Sequence, residues 1–543
     1  MRETNPLLPN YNPSHEPTRT QAYLLLLTLP IGGLQTAWSV EFSAGSSYLL
    51  TLGIPKPLLA PIWFAGPLMG ILVQPYIGAL SDACQVRWGR RRPYLLFGTG
   101  MTVLSMMGLA WVGELAAGWI VKAAAVVGVY ALNCGLNVAE ASIRALITDC
   151  APKHQQEAAN AMASRIISVG SLAGFLAGSL DLRTYLSFLG DSQFRVLCSL
   201  SSITLLVTVL VSAVFVTEED PRLRSPASEK SVGVRLFSTL KVLSPQIKTL
   251  FTVQIFACFA FFPILFYGSV WVAEIYAAPY LKENPGMGKK ELDALFEEGT
   301  RRGAKALAWN AAVMLFSTVL VPVVVTPTYD ARSGSSTPSS RSSTATSATL
   351  NADDNTRRWS RLEIPPLTLK RAWISALVLQ AAALLSAPLI RSVEAAIVVI
   401  AMLGYTWALN VWAPFAIIGA ETHADPCLPS DPAGSVHSTD PTPGIPALLD
   451  SASQYENGNE DKSMRNSVGA VFGIHNVVVC IAEAASSVLS LGIFALCHRE
   501  RGVPGDTSFA VLLGVSGVAG VVAIWFAMGI RDGPGRGRDA APG

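Results

Sequence analysis

Twelve apolar runs, each about as long as a bilayer is thick, divide this chain. They fall at about 22–43, 58–81, 93–112, 119–148, 160–180, 196–216, 248–273, 305–326, 372–390, 394–419, 467–494 and 508–529. A helix needs about 20 residues to cross the ~30 Å hydrocarbon core. Backbone groups in lipid must be paired within the segment, which favours helices. The alternating pattern of barrel strands is absent. The expected fold class is an all-α membrane protein with twelve transmembrane helices in two six-helix bundles.

Composition agrees. Of 543 residues, 51% are hydrophobic and 14% are charged, against about 25% charged in an average soluble chain. Mean hydropathy is +0.41. The net charge of +2 carries no basic block of the kind that binds nucleic acid. The eight cysteines are scattered, with no CxxC pair, and the six histidines form no HExxH pair. Neither a metal site nor a disulfide framework is therefore expected. No GxxxxGK[ST] loop occurs, so a nucleotide is not the energy source. No convergent nucleophile or acid–base set points to an enzyme, and no cofactor is expected.

Residues 1–21 are polar and read as a disordered tail rather than a signal peptide. Residues 22–216 and 248–529 each hold six apolar runs, and 217–247 joins them as a central loop. Within the second half, 327–371 and 422–465 are low in complexity and read as disordered loops, either regulatory or plain linkers. Residues 530–543 form a C-terminal tail. Lys and Arg favour the tail-bearing side by about two to one, which predicts cytoplasmic termini. The oppositely placed segment 274–304 dissents, with Lys282, Lys289, Lys290, Arg301 and Arg302 balanced by five acids. It reads as a loop with a short amphipathic surface helix.

The segment after the second run reads Gly78, Asp82, Arg87, then Gly89-Arg90-Arg91-Arg92-Pro93. Asp82 at a helix end can pair with Arg90 or Arg91 and latch two helices, with Gly78 and Gly89 giving room; the bland alternative is a positive-inside charge cluster. The pattern resembles the signature of the major facilitator superfamily, with four residues inserted after the Asp. Further segments resemble its glycoside–proton symporter (sucrose transporter) family: Trp38–Glu41, Leu52–Pro55, Ile62–Pro67, Val73–Pro75, Arg144–Asp149, Glu298–Arg301, Trp412–Gly419 and Gly473–Asn476. The character is that of fungal members. The resemblance implies uptake of sucrose, maltose or a related α-glucoside with a proton.

Ionisable residues inside a membrane mark pathways by default. In the fourth run Asn133, Asn137, Glu140, Arg144 and Thr148 recur at four, three, four and four residues and share one face. Glu140 and Arg144 can pair at i,i+4. The resemblance implies an Asp at position 133 in plant relatives, where this chain has Asn133, and a Gln where it has Glu140. One expectation follows: Glu140, beside Arg144, has taken over proton coupling; the alternative is a static ion pair. Glu41 and Glu483 are further proton-coupling candidates. Glu41 could instead bind sugar or snorkel, and Glu483 could pair with Arg165.

Substrate-binding candidates are Trp38, Glu41, Gln74, Asn133, Asn137, Arg144, Asn410 and Asn476. Gln74 could equally bond a neighbouring helix, and Trp407 and Trp412 read as packing. His475 reads as a bonded core histidine. The leading function is a proton-coupled sugar carrier working by alternating access as a monomer, its partners being the sugar, the proton and the lipid. The expected location is the plasma membrane, with the vacuolar membrane as the alternative. Loss of a carboxylate at Asn133 supports an uncoupled facilitator as second reading. A nutrient sensor on the same fold is third.

Overall fold

The computed structural model describes residues 18–115, 118–152, 155–218, 243–284, 286–325, 367–424 and 468–531. Most of the expected tails, most of the central loop and the two low-complexity loops lie outside the described residues.

All twelve expected spans are helices. They are α1 (Gln21–Thr51), α2 (Lys56–Asp82), α3 (Arg92–Leu115), α4 (Trp119–Cys150), α5 (Gln156–Ser179), α6 (Gln193–Phe215), α7 (Pro245–Glu283), α8 (Lys289–Val324), α9 (Leu369–Leu389), α10 (Val393–Ala424), α11 (Val468–Cys497) and α12 (Ser508–Met528). We call the face where α1 begins the near face, and the opposite one the far face. Each apolar run closes its own backbone bonds, and side-chain hydroxyls do the same. Thr28 Oγ1 donates to Leu24 O at 2.8 Å, and Ser142 Oγ to Val138 O at 2.8 Å.

The helices form two halves with matching contacts. In the first, α1 packs on α5 and α6, α4 on α2 and α3, and α3 on α6. In the second, α7 packs on α11 and α12, α10 on α8 and α9, and α9 on α12. Each contact of one half recurs six helices later in the other. The seam between halves repeats too: α5 lies against α8, and α11 against α2. Two six-helix bundles related in this way are the repeat architecture of secondary carriers.

The segment 274–304 departs from expectation. It is not a loop: α7 runs 39 residues and α8 runs 36, leaving only a short turn between them. At 1.5 Å per residue each helix is about 55 Å long and projects past the hydrocarbon. Helical spacing lets the charges satisfy one another. Arg301 pairs with Glu298 at 2.5 Å and Arg302 with Glu298 at 3.2 Å, while Arg302 also lies 4.4 Å over the Tyr276 ring.

Close helix contact depends on glycine where backbones meet. A Cβ at Gly303 of α8 would stand 2.5 Å from Ser269 Cα of α7. One at Gly98 of α3 would stand 2.6 Å from the Ala139 backbone nitrogen of α4. Small residues at such crossings are the usual membrane solution. Gly303→Ala is expected to destabilise the folded protein by about 1–3 kcal/mol through overpacking. Gly78→Ala, whose Cβ would meet nothing within 4 Å, should change it by less than about 0.5 kcal/mol. Thermal unfolding of the two purified variants in one detergent checks the contrast.

Candidate functional site

The centre of the molecule begins at an irregularity in α1. Residues Glu41–Gly45 make one wide π-type turn inside the helix, a feature that tends to mark functional positions. It carries Glu41 toward α4. Asn133 Nδ2 donates to Glu41 Oε1 at 2.7 Å and shares its amide with Val129 O at 3.0 Å. Glu41 is 5% exposed and Asn133 1%. The second carboxylate oxygen of Glu41 has no hydrogen-bond partner among the described residues, and no cation pairs with the group. A cavity of about 30 Å³ borders it, lined by Tyr48, Trp63, Met106 and Phe194. That is room for a water or two, not for a sugar.

One turn along α4, a polar chain crosses the seam. Asn137 Nδ2 donates to Asn133 O at 2.8 Å. Gln74 Nε2 of α2 donates to Asn137 Oδ1 at 2.8 Å, and Asn476 Nδ2 of α11 donates to Gln74 Oε1 at 2.9 Å. So Gln74, Asn133, Asn137 and Asn476 are brought together, with Glu41 at one end. Glu483 of α11 lies on the same seam. A Cβ at Gly66 would stand 3.2 Å from Glu483 Oε1 and 3.3 Å from Asn133 Oδ1. Glycine at position 66 thus lets α2 approach both groups. Among the described residues, Arg165 does not pair with Glu483.

Aromatic rings from α1, α2 and α7 stack beside this chain. Trp38 stacks on Phe42 at 5.5 Å, Phe42 meets Phe266 of α7 at 5.8 Å, and Phe266 stacks on Trp63 of α2 at 5.6 Å. Trp38 is half-buried. Trp407 stacks on Phe261 at 4.5 Å, the packing role expected of it.

Toward the near face the stripe opens. Arg144 Nη2 donates to Glu140 Oε1 at 2.8 Å, and the Arg144 side chain is 56% exposed. Across the far half, ties join the two bundles. Ser46 Oγ donates to Phe266 O at 2.9 Å, Ser269 Oγ to Phe42 O at 3.2 Å, and Thr300 Oγ1 to Ser47 Oγ at 2.8 Å. The two halves are tied together on the far side, and the Arg144 side chain is exposed toward the near side.

Two expected residues fall elsewhere. Asn410 does not join the central chain. Its Oδ1 accepts from Trp373 Nε1 at 2.8 Å and its Nδ2 donates to Gln380 at 3.1 Å, both on α9. Helical spacing alone could not say which neighbour its face meets. His475 is buried, but its Nε2 has no partner among the described residues; the ring sits against Phe415 at 5.0 Å.

The near-face latch forms with additional partners. Arg91 Nη2 pairs with Asp82 Oδ1 at 2.5 Å and Arg91 Nε with Asp149 Oδ2 at 2.8 Å. Arg90 meets Asp149 through Nη2 at 2.7 Å, and Asp82 only at 3.7 Å. The Arg91 guanidinium is lowered by burial, then raised above its ordinary value by the Asp149 and Asp82 charges. Glu218 accepts the backbone N–H groups of Arg90 at 2.8 Å, Arg91 at 2.9 Å and Arg92 at 3.0 Å, capping α3. Gly89 has φ +123°, and a Cβ there would meet Glu218 Oε1 at 2.5 Å. Gly78 touches nothing comparable. Asp149 lay in a sequence match without an assigned role, and nothing local marked Glu218.

Asp149→Asn leaves two guanidiniums short of an acceptor, so a loss of about 3–5 kcal/mol is expected, as for breaking a buried pair. Asp82 is 43% exposed, so Asp82→Asn should cost clearly less. Equal losses in detergent unfolding would show that the latch rests on both acids alike.

The profile of the family described as MFS/sugar transport protein matches residues 33–280. A general alpha-glucoside permease of Schizosaccharomyces pombe is 28% identical, over 94% of this chain and 93% of its own length. A sucrose transport protein of Oryza sativa subsp. indica is 28% identical over 55% of this chain and 63% of its own length. Among solved structures, a D-xylose–proton symporter aligns with a TM-score of 0.54 at 14% identity, covering 94% of this chain and 99% of its own. A nucleoside transporter aligns with a TM-score of 0.56 at 10% identity, covering 93% and 99%. The chain has the fold of these carriers.

Proposed function

We propose that this chain, a member of the MFS sugar-transport family, carries sucrose, maltose or a related α-glucoside together with a proton by alternating access. The observation that carries the reading is the buried contact of Glu41 with Asn133. The resemblance to plant sucrose carriers implies a carboxylate at position 133. This chain has an amide there, and α1 brings a carboxylate to the same point. A buried charge without a partner is costly, so a carboxyl in that place does its work by gaining and losing a proton. Glu140 is a weaker candidate for the coupling group. It is already paired with Arg144 beside solvent.

The sugar lies near the Gln74–Asn137–Asn476 chain, whose amides offer donors and acceptors to hydroxyls. Trp38 and Phe42 offer the apolar wall such sites combine with a few polar groups. The relatives' printed names support an α-glucoside or sucrose as substrate. The near face is the cytoplasmic one, on the excess of Lys and Arg there. The proton gradient replaces any cofactor, the monomer suffices, and the plasma membrane is the site of action. Asn133 favours a second reading, an uncoupled facilitator.

Uptake of labelled sucrose and maltose in transport-deficient yeast, at acid and neutral outside pH with and without an uncoupler, tests both readings. Accumulation should rise in acid and collapse with the uncoupler. Glu41→Gln should abolish accumulation yet spare sugar exchange, while Glu140→Gln should keep accumulation. The reverse pattern would return coupling to Glu140. Uptake indifferent to pH and uncoupler would establish the facilitator.

A further inference from the structure

A charged cluster on the far face has no part in the site above. Lys56 stands at the start of α2 in the first half, yet it is only 7% exposed. An ammonium has three donors, and all three are taken by the second half. Its Nζ donates to Glu274 Oε1 of α7, to Asp506 Oδ2 at 2.7 Å, and to Ser508 Oγ of α12 at 3.3 Å. It also lies 4.1 Å over the Phe509 ring.

Asp506 is itself held in place. Its Oδ1 accepts the Ser508 N–H at 2.8 Å, and its Oδ2 accepts the Arg499 N–H at 3.0 Å. Burial pushes its carboxyl up, but the Lys56 ammonium and these N–H donors outweigh that and leave it below the usual aspartate range. The Asp506 arm is therefore present above the ordinary aspartate value and lost only as the pH falls through the lowered one.

We propose that Lys56, Glu274 and Asp506 form a clasp that holds the far entrance shut, so that its strength sets the balance between the two facing states. The inference rests on alternating access. The clasp joins helices from opposite halves, so the far face cannot open while it is intact. Losing Lys56 leaves two buried carboxylates without their cation, and losing Glu274 removes the arm that reaches α7. Once open, its members face water, where the same attraction is worth little. The closed state gains from the clasp and the open state does not, which is the differential a gate requires. Arg301 of α8, 3.5 Å from Asp181 beyond α5, ties the other seam at the same face.

The test needs no sugar. In the purified full chain in detergent, Ser43→Cys places a thiol at a buried position near α5 and α8 whose hydroxyl bonds nothing among the described residues. Its reaction with a maleimide, followed by peptide mass, reads far-side opening. Lys56→Met should raise the rate about tenfold, the change that ~1.4 kcal/mol makes in an equilibrium. Glu274→Gln should raise it in the same direction, and Lys56→Arg should leave it low. Circular dichroism and one size-exclusion peak confirm folding, and Glu274→Gln carries the test if Lys56→Met does not fold. Unchanged rates in a folded variant lacking Lys56 or Glu274 would overturn the clasp. Because the readout is a labelling rate, a failure of the sugar assignment would not affect it.

Discussion

The hydrocarbon core offers no hydrogen-bond partner, and the placement of most polar groups in the spans answers to that. Many hydroxyls close back onto their own helix, as Ser490 does onto Ser486 O at 2.8 Å. Others are satisfied within one half, as when Gln380 Nε2 donates to Ala257 O at 2.7 Å. A third group is satisfied only across the two halves. That group includes Gln74 with Asn476, Ser46 with Phe266, and Lys56 with its acids. The first two kinds stabilise a bundle whatever the other bundle does. Bonds of the third kind exist in one arrangement of the halves, so they bias which arrangement is populated. The functional centre and the far-face clasp belong to that third group.

The twelve spans were legible because a run of apolar residues has one reading in a bilayer. The shared face of Asn133, Asn137 and Glu140 was legible because helical spacing is fixed. What spacing cannot supply is the partner. Asn410 was grouped with the central face, and Trp373 and Gln380 on α9 hold it elsewhere. Nothing local marked Lys56, since its acids lie 218 and 450 residues away. Asp149 and Glu218 complete the Arg90–Arg91 latch from 59 and 128 residues away. Hydropathy also misjudged α7 and α8, because the charges that end an apolar window need not end a helix. Arg301 and Glu298 continue α8 by pairing at i,i+3.

The amide at position 133 looks like the loss of a coupling group when α4 is read alone. With α1 beside it, position 133 still meets a carboxylate, that of Glu41. A carboxylate and an amide meet at one buried point, the acid carried by α1 and the amide by α4. Coupling then has a short physical route. Asn133 bonds Glu41 through its side chain and Asn137 through its backbone oxygen, and Asn137 leads through Gln74 to Asn476 in the other half. A proton on Glu41 changes what Asn133 can donate to. A sugar hydroxyl inserted at Gln74 changes whether the halves remain joined there. On the proposed reading both act on the same seam, whose two settings would be the two facing states. That is the condition for coupling: two ligands biasing one bistable element, rather than mere proximity. On the proposed reading the seam is that element, and the α1 acid would tie the proton to it.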